Sequence, residues 1–448
     1  MRRRLVARVE RRAASAARAM VRPLIVNRDR LPYPLRSLLR AAYRALPRSV
    51  RTALRRPVAA DQVDERVPDQ IEVVPPEKPV VVSAPVELPS RPPVKDTPVR
   101  LLVGPANFAG QGWQWSRAVE RELSGVGAEA YAFVKGDLDF PVDYGVPVEM
   151  YAKSIEWQED QERHVLSSYT HVLVEAERPI LGRRYGATCD GEIPVLRAGG
   201  LQVGFISHGS DVRIPSRHVE ENEWSPFVDT SWEVVPVLER NTSHNVEMLA
   251  GYDGHQFVST PDLLDYVRRA TWCPVIVEPR MWATTSVVMQ RRIPVVVHAP
   301  SNDRIKGSDL VDPIMHRLAD RGVVEYRRIV RVPPEAMPEV YRDADIVLDQ
   351  FRIGSYGVAA CEAMAAGRVV IGHVTPAVRR RVQDFTGLDL PVVEATPKTL
   401  EEVVCELLEN RTGAASMGSA GVRFVADVHD GRRSAQALAP FLMDSSHD

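Results

Sequence analysis

From residue 99 onward, short apolar runs alternate with stretches of helical period. "VRLLVGPANF" reads as a strand ending at Gly104, and "AGQGWQWSRAVERELSGVG" as a glycine loop opening a helix that stops at a glycine. "AEAYAFV", "THVLVEA" (170–176) and "LQVGFISHGSD" (201–211) predict further strands, each preceded by polar or helical sequence. Around "TPDLLDYVRRATWCPVIVEP" (260–279) the chain passes into a second series. There "RIPVVVHA", "VVEYRRIV", "DIVLDQ" and "RVVIGHV" predict strands. "GSDLVDPIMHRLADRG", "PPEAMPEVYRDA", "GVAACEAMAAG" and "PKTLEEVVCELLEN" predict the helices between and after them, and "GRRSAQALAPFLM" the last one. Alternating β and α favours parallel sheets. The expected fold is α/β: two Rossmann-like, doubly wound domains facing a cleft, over 99–270 and 271–425, with a terminal helical segment at 426–448.

The first 98 residues break this rhythm. Residues 1–56 hold 17 Arg, no Lys and two acids, Glu10 and Asp29, a net +15. The chain totals -2, so the other 392 residues carry -17. The arm predicts two amphipathic helices, one with Leu5, Val9, Ala13, Ala16 and Met20 on a face, the other with Leu35, Leu38, Leu39, Ala42 and Leu46. A basic amphipathic helix suits an anionic membrane surface. Nucleic acid is not expected as a partner, because Tyr33 and Tyr43 are the arm's only aromatics. Residues 57–98 contain ten Pro and read as an extended, semi-rigid linker.

With 448 residues and 44% hydrophobic composition there is ample material for two or three cores. Cys189, Cys273, Cys361 and Cys405 lie far apart with no CxxC or Cys/His spacing, which argues against a disulfide scaffold or zinc site. No apolar run reaches membrane-spanning length, and the N-terminus lacks the continuous apolar core of a secretory signal. The expectation is a cytoplasmic protein that the arm can hold at the inner face of the membrane.

Ligands of such sheets sit beyond the carboxyl ends of strands, so the chemistry should lie in the turns there. Gly110-Gln111-Gly112 could bring amides and a helix start to a phosphate, although a tight turn before a helix explains the same residues. "SHGSD" supplies His208, Gly209, Ser210 and Asp211, donors and acceptors for a polyol. "SNDRIKGSD" offers Ser301, Asn302, Arg304, Lys306 and Gly307 at a helix entry, where Lys306 suits a diphosphate. "GSYGVAACEAMAAG" carries the sharpest signal. Glu362 stands in a run of small apolar residues, and a carboxylate there needs a partner such as a ribose diol. Trp113 and Trp115, past the glycine loop, could stack on an acceptor ring or fill the core.

Together these turns resemble a GT-B glycosyltransferase of the large retaining family that uses nucleotide-sugar donors, family 4. "HGSD" is similar to its N-domain His-Gly segment, "KGSDLV" to its Lys-Gly turn, and "YRDADIVLDQFRIGSYGVAACEAMAAGRVVI" to its Glu-containing helix and strand. The pattern spreads over about residues 99–440 and is strong in 293–374. The resemblance implies that Lys306 and the amides of Ser355, Tyr356 and Gly357 bind the donor diphosphate and that Glu362 holds the ribose. It also implies that Gly110 and Gly112 face the diphosphate from the other domain, that His208 sits by the transferred sugar, and that the last helix packs back on the first domain. Asp211, Trp113 and Trp115 would serve the acceptor, a glycan or lipid-linked molecule. No metal cofactor is implied.

Two positions depart from the family pattern. Gly354 stands where the first Glu of Glu-x7-Glu belongs, and Ser301 where an Arg precedes the Lys. Losing one charge-assisted hydrogen bond costs about 1.5–3 kcal/mol. Arg304, Asn302, Gln350 and Ser355 are candidate replacements. The reading is therefore retaining glycosyl transfer in surface-glycan or glycolipid synthesis. A non-catalytic nucleotide-sugar binder and another GT-B enzyme, such as an epimerase, remain open.

Overall fold

The computed structural model describes residues 88–134, 140–229 and 231–443. The basic arm and residues 57–87 of the Pro-rich stretch lie outside the described residues.

In the first sheet, β1 (Val99–Gly104), β2 (Val126–Val134), β3 (Tyr144–Pro147), β4 (His171–Glu175), β5 (Gln202–Ser207), β6 (Gln256–Val258) and β7 (Thr271–Trp272) are all parallel. Their order is β3-β2-β1-β4-β5-β6-β7. In the second, β8 (Val295–His298), β9 (Glu325–Arg328), β10 (Ile346–Leu348), β11 (Val369–Gly372) and β12 (Val392–Glu394) are parallel in the order β12-β11-β10-β8-β9. Helices cover both faces, which is why the central strands are unbroken apolar runs rather than alternating ones: Leu101, Leu102 and Val103 are all buried, as are Val295, Val296 and Val297. The expected α/β architecture of two doubly wound sheets is the one observed. Strand order reverses between β1 and β4 and between β8 and β10, and each reversal opens a crevice at the carboxyl ends of those strands.

The last helix, Arg432–Met443, crosses to the first sheet. Leu438, Phe441 and Leu442 share a core with Trp115, Ala118 and Val119 of helix Gln111–Glu122. Phe441 lies so close to β5 that a Cβ on Gly204 would stand 3.2 Å from its ring. Residues 88–98, the end of the Pro-rich stretch, also dock on this domain. Arg91 pairs with Asp160 at 3.0 Å and lies 4.7 Å over the Tyr144 ring.

Helix Pro215–Glu221 and the turn after it join the two domains. His218 Nε2 donates to the Ile353 carbonyl (3.2 Å), so its Nδ1 accepts from the Ser225 hydroxyl (2.7 Å). Asn222 Nδ2 donates to the Arg352 carbonyl at 3.0 Å. Burial, aided by the Arg213 charge, pushes His218 down to about 4 and keeps the ring neutral in this role. These bonds hold the loop after β10 against the segment that follows β5, so the two crevices belong to one interdomain region. Among the described residues, no helix is long and apolar enough to cross a membrane.

Candidate functional site

The second-domain half is built at the β8/β10 reversal. His298, fully buried at the end of β8, donates from Nδ1 to the Leu348 carbonyl (3.1 Å) and accepts at Nε2 from the Ser308 hydroxyl (2.9 Å). That clamp fixes both strand ends and the start of helix Ser308–Asp320. The intervening turn is shaped by two residues. Asn302 caps the short helix Asp303–Lys306 by accepting from the amides of Arg304 and Ile305. Gly307 adopts φ 81°, a left-handed conformation that favours glycine. The Lys306 carbonyl then accepts from the Phe351 amide (3.1 Å), tying this turn to the loop after β10.

So placed, Lys306 donates its ammonium to Asp349 Oδ1 at 2.5 Å; the two side chains are 13% and 2% exposed. Glu362, on helix Val358–Ala365, is half-buried, and its carboxyl has no hydrogen-bond partner among the described residues. Burial pushes its carboxyl up to about 8; the nearby Lys306 charge opposes this and Asp349 adds to it. No side chain caps the start of that helix at Gly357, leaving first-turn amides available to an anion. Lys306, Asp349, Glu362 and this helix start form one cluster.

The remaining second-domain candidates have other tasks. Arg304 is exposed, pairs with Asp229 at 2.5 Å and lies 5.4 Å over the Trp232 ring, so in this structure it bridges domains. Asn302 is the helix cap. Ser301 is exposed and makes no side-chain bond among the described residues. The Tyr356 ring is buried, its hydroxyl 3.3 Å from His429 Nε2, so only its backbone faces the turn. Gln350 donates to the Ser355 carbonyl (2.7 Å), and the buried Ser355 side chain lies toward Asp262 of the first domain. Gln350 is thus committed to the backbone, and the Ser355 hydroxyl is buried without a hydrogen-bond partner among the described residues. Gly354 has φ 76°, and a Cβ there would stand 2.8 Å from Thr375 Cγ2 and 3.3 Å from Asn222 Nδ2. A glutamate does not fit this backbone.

The first-domain half centres on a residue that sequence reasoning missed. Glu175, fully buried at the end of β4, accepts from the amides of Ala106 (3.2 Å) and Asn107 (2.9 Å) and from His208 Nε2 (3.1 Å). A Cβ on Gly112 would lie 2.8 Å from its carboxylate. Gly110 takes φ 72° beside Phe140. The glycine loop therefore wraps a carboxylate of the protein itself, in the place where a diphosphate was expected; two of its amides are taken, and the charge there repels a second anion. Because His208 Nε2–H is committed to Glu175, its Nδ1 is the nitrogen left for a substrate. The ring packs 5.4 Å from both Phe108 and Trp115.

Trp115 is fully buried and donates from its indole to the Pro274 carbonyl (3.0 Å), so the expectation that it stacks on an acceptor is corrected: it is core. Its helical spacing with Ala118 and Val119 carried that signal. Trp113 is half-buried under the Arg117 guanidinium (5.7 Å). Asp211 gives both carboxylate oxygens to the amides of His208 (2.7 Å) and Gly209, and so shapes the loop that presents His208. Glu177 accepts from the Ser207 hydroxyl (2.7 Å) at φ 51°. Burial and the neighbouring Asp211 charge push its carboxyl well above the usual carboxylate range.

No protein-family model matches the chain, and no curated protein matches its sequence. Among solved structures, it resembles sucrose-phosphate synthase from Thermosynechococcus elongatus with a TM-score of 0.52 at 13% identity, covering 76% of this chain and 97% of that one. It also resembles Anabaena Alr3699/HepE, solved in complex with UDP and glucose, with a TM-score of 0.50 at 10% identity over 77% and 99% of the two chains. The likeness is one of fold: the two parallel sheets have the GT-B arrangement.

Proposed function

We propose that this chain is a glycosyltransferase that moves a sugar, with retention, from a nucleotide-diphosphate sugar to a glycan or lipid-linked acceptor, in the manner of the family 4 enzymes its motifs resemble. The observation that carries this reading is the meeting of Lys306, Asp349 and Glu362 at the β8/β10 reversal beside an uncapped helix start. A fold relative bound to UDP and glucose supports the donor class.

In this reading the diphosphate lies between Lys306 and the amides at the start of helix Val358–Ala365, and Glu362 accepts from the ribose diol. The bond between the anomeric carbon and the diphosphate oxygen breaks, and the charge gathering on that oxygen is met by the ammonium and the amide dipoles. The acceptor hydroxyl attacks from the same face, and its proton passes to the departing phosphate oxygen. His208 Nδ1 accepts from a hydroxyl of the transferred sugar, its ring held by Glu175. No metal is invoked. The site's unusual pieces, Gly354 and the Asp349 partner of Lys306, favour a second reading: a binder that holds the nucleotide sugar without turnover.

Nucleotide release, followed over a panel of nucleotide sugars and acceptors in the presence of EDTA, separates the two. Transfer predicts release that depends on acceptor and is lost in Glu362→Ala. Donor binding with no release under any acceptor would favour the binder. Residues 1–56 complete the proposal as a docking arm for anionic membrane. Deleting them should move the protein to the soluble fraction, and unchanged partition at low salt would contradict docking.

A further inference from the structure

Arg178 follows β4, three residues after Glu175. Its guanidinium lies 5.1 Å over the Phe108 ring and 5.1 Å over the Phe133 ring. Both rings are themselves held. Phe108 meets the His208 ring edge-on at 5.4 Å, and Phe133 packs 4.8 Å from Tyr151, whose hydroxyl donates to the Pro179 carbonyl (2.7 Å). These residues come from the carboxyl ends of β1, β2 and β4, on the rim of the first-domain crevice. Phe108 is 40% exposed, so the rim is open to solvent.

Most arginines among the described residues are already committed to partners. Arg213 holds Asp262, Arg184 holds Glu159 and Glu162, and Arg197 holds Asp253. Arg178 has neither an ion pair nor a side-chain hydrogen bond among the described residues. Its nearest acid in sequence, Glu177, accepts from the Ser207 hydroxyl and feels the Arg178 charge without forming an ion pair with it. A guanidinium meets an aromatic ring through its face and keeps its N–H edge for a carboxylate or phosphate, which it can bind in bidentate fashion. A half-buried cation held against aromatic rings, with no ion pair among the described residues, is a seat suited to an anion brought from outside.

We infer that Arg178, lying against Phe108 and Phe133, binds an anionic group, phosphate or carboxylate, carried by the acceptor. The inference rests on the transferase reading of the same cleft. It separates the charges by domain: the donor's diphosphate goes to Lys306 of the second domain, while the acceptor's anion goes to Arg178 of the first. It also explains why the glycine loop encloses Glu175. That carboxylate keeps a phosphate out of the loop and leaves Arg178 as the anion site on this side.

The test is calorimetric titration of the whole chain with four probes: UDP, glucose 6-phosphate, glucuronate and glucose. Wild type, Arg178→Met, Phe108→Leu and Glu362→Ala are compared. Glucose 6-phosphate, glucuronate or both should bind wild type, about tenfold or more weaker in Arg178→Met and measurably weaker in Phe108→Leu, with no change in Glu362→Ala. A response to the phosphate alone or the carboxylate alone identifies the group. UDP should show the reverse dependence, lost in Glu362→Ala and kept in Arg178→Met, which also proves that the Arg178 variant is folded. If UDP binds in this way while neither anionic sugar depends on Arg178, the inference is overturned and the transferase reading stands. If UDP binding does not depend on Glu362, the reading beneath it fails instead.

Discussion

The Lys306 ammonium lies 2.5 Å from the Asp349 carboxylate, 43 residues further along the chain, with both side chains largely out of water. The pair joins the turn after β8 to the turn after β10 at the reversal of the second sheet. It holds the ammonium at one place beside the turn after β10 before any ligand arrives. A diphosphate then meets an oriented cation, with Asp349 still at its back.

Removing one member of this pair should be felt twice. Lys306→Ala should weaken nucleotide-diphosphate binding about 10- to 100-fold, the worth of a charge-assisted contact. It should also destabilise the fold by about 3 kcal/mol, because Asp349 is left buried and alone. Titration with UDP alongside urea unfolding measures both. Unchanged affinity in a folded Lys306→Ala protein would remove Lys306 from the donor site.

Glu362 should make donor binding depend on pH. Its carboxyl, pushed up to about 8 by burial, holds a proton at neutral pH, whereas a ribose diol is best met by the carboxylate. Affinity should therefore rise as pH increases toward 8 and level off above it, and Glu362→Gln should flatten the profile. For the unliganded protein the sign is opposite. The folded state keeps a proton that the unfolded state releases above its ordinary 4.5, so the group costs stability progressively from about 4.5 to about 8. Glu362→Gln should thus be the more stable protein at pH 8. A Gln variant no more stable than wild type there would contradict the burial assigned to this carboxyl.

Restoring the family's first glutamate should fail. Gly354 has φ 76°, and the space beside it is filled by Thr375 and Asn222. Gly354→Glu should lose about 1–3 kcal/mol through backbone strain alone, with further loss as Asn222 is pushed from the Arg352 carbonyl. Thermal unfolding and a nucleotide-release assay check this. A Glu variant of unaltered stability and higher activity would mean that the loop relaxes freely.

What could be read from the chain had a physical reason to be local. Lys306-Gly307 stands out because a left-handed glycine ends a short turn between strand and helix. Glu362 stands out because carboxylates are rare among small apolar residues. Length did not decide which strands were legible: β8, β10 and β11 span only three or four residues but lie in apolar runs, whereas β3, β6, β7 and β12, two to four residues long, have no such run of their own. Glu175 was hidden for a related reason. In "HVLVEAE" it reads as the polar end of a strand, and only the loop 71 to 63 residues earlier, with His208 on the next strand, makes it a buried hub. Asn222, His218 and Asp349 likewise act on partners far along the chain. Trp115 was readable from its spacing with Ala118 and Val119, which puts it on the core face of its helix and decides for core between the two roles the sequence left open.

The most direct test is thermal unfolding with nucleotide diphosphates, wild type beside Glu362→Ala. A ligand at 100 times its dissociation constant stabilises by about 2.7 kcal/mol, so a live donor site is visible in a single melt. The account predicts that one nucleotide diphosphate raises the wild-type melting temperature by several degrees and leaves Glu362→Ala unmoved. If no nucleotide shifts the wild type, or if both proteins shift equally, the cluster at the β8/β10 reversal is not a donor site.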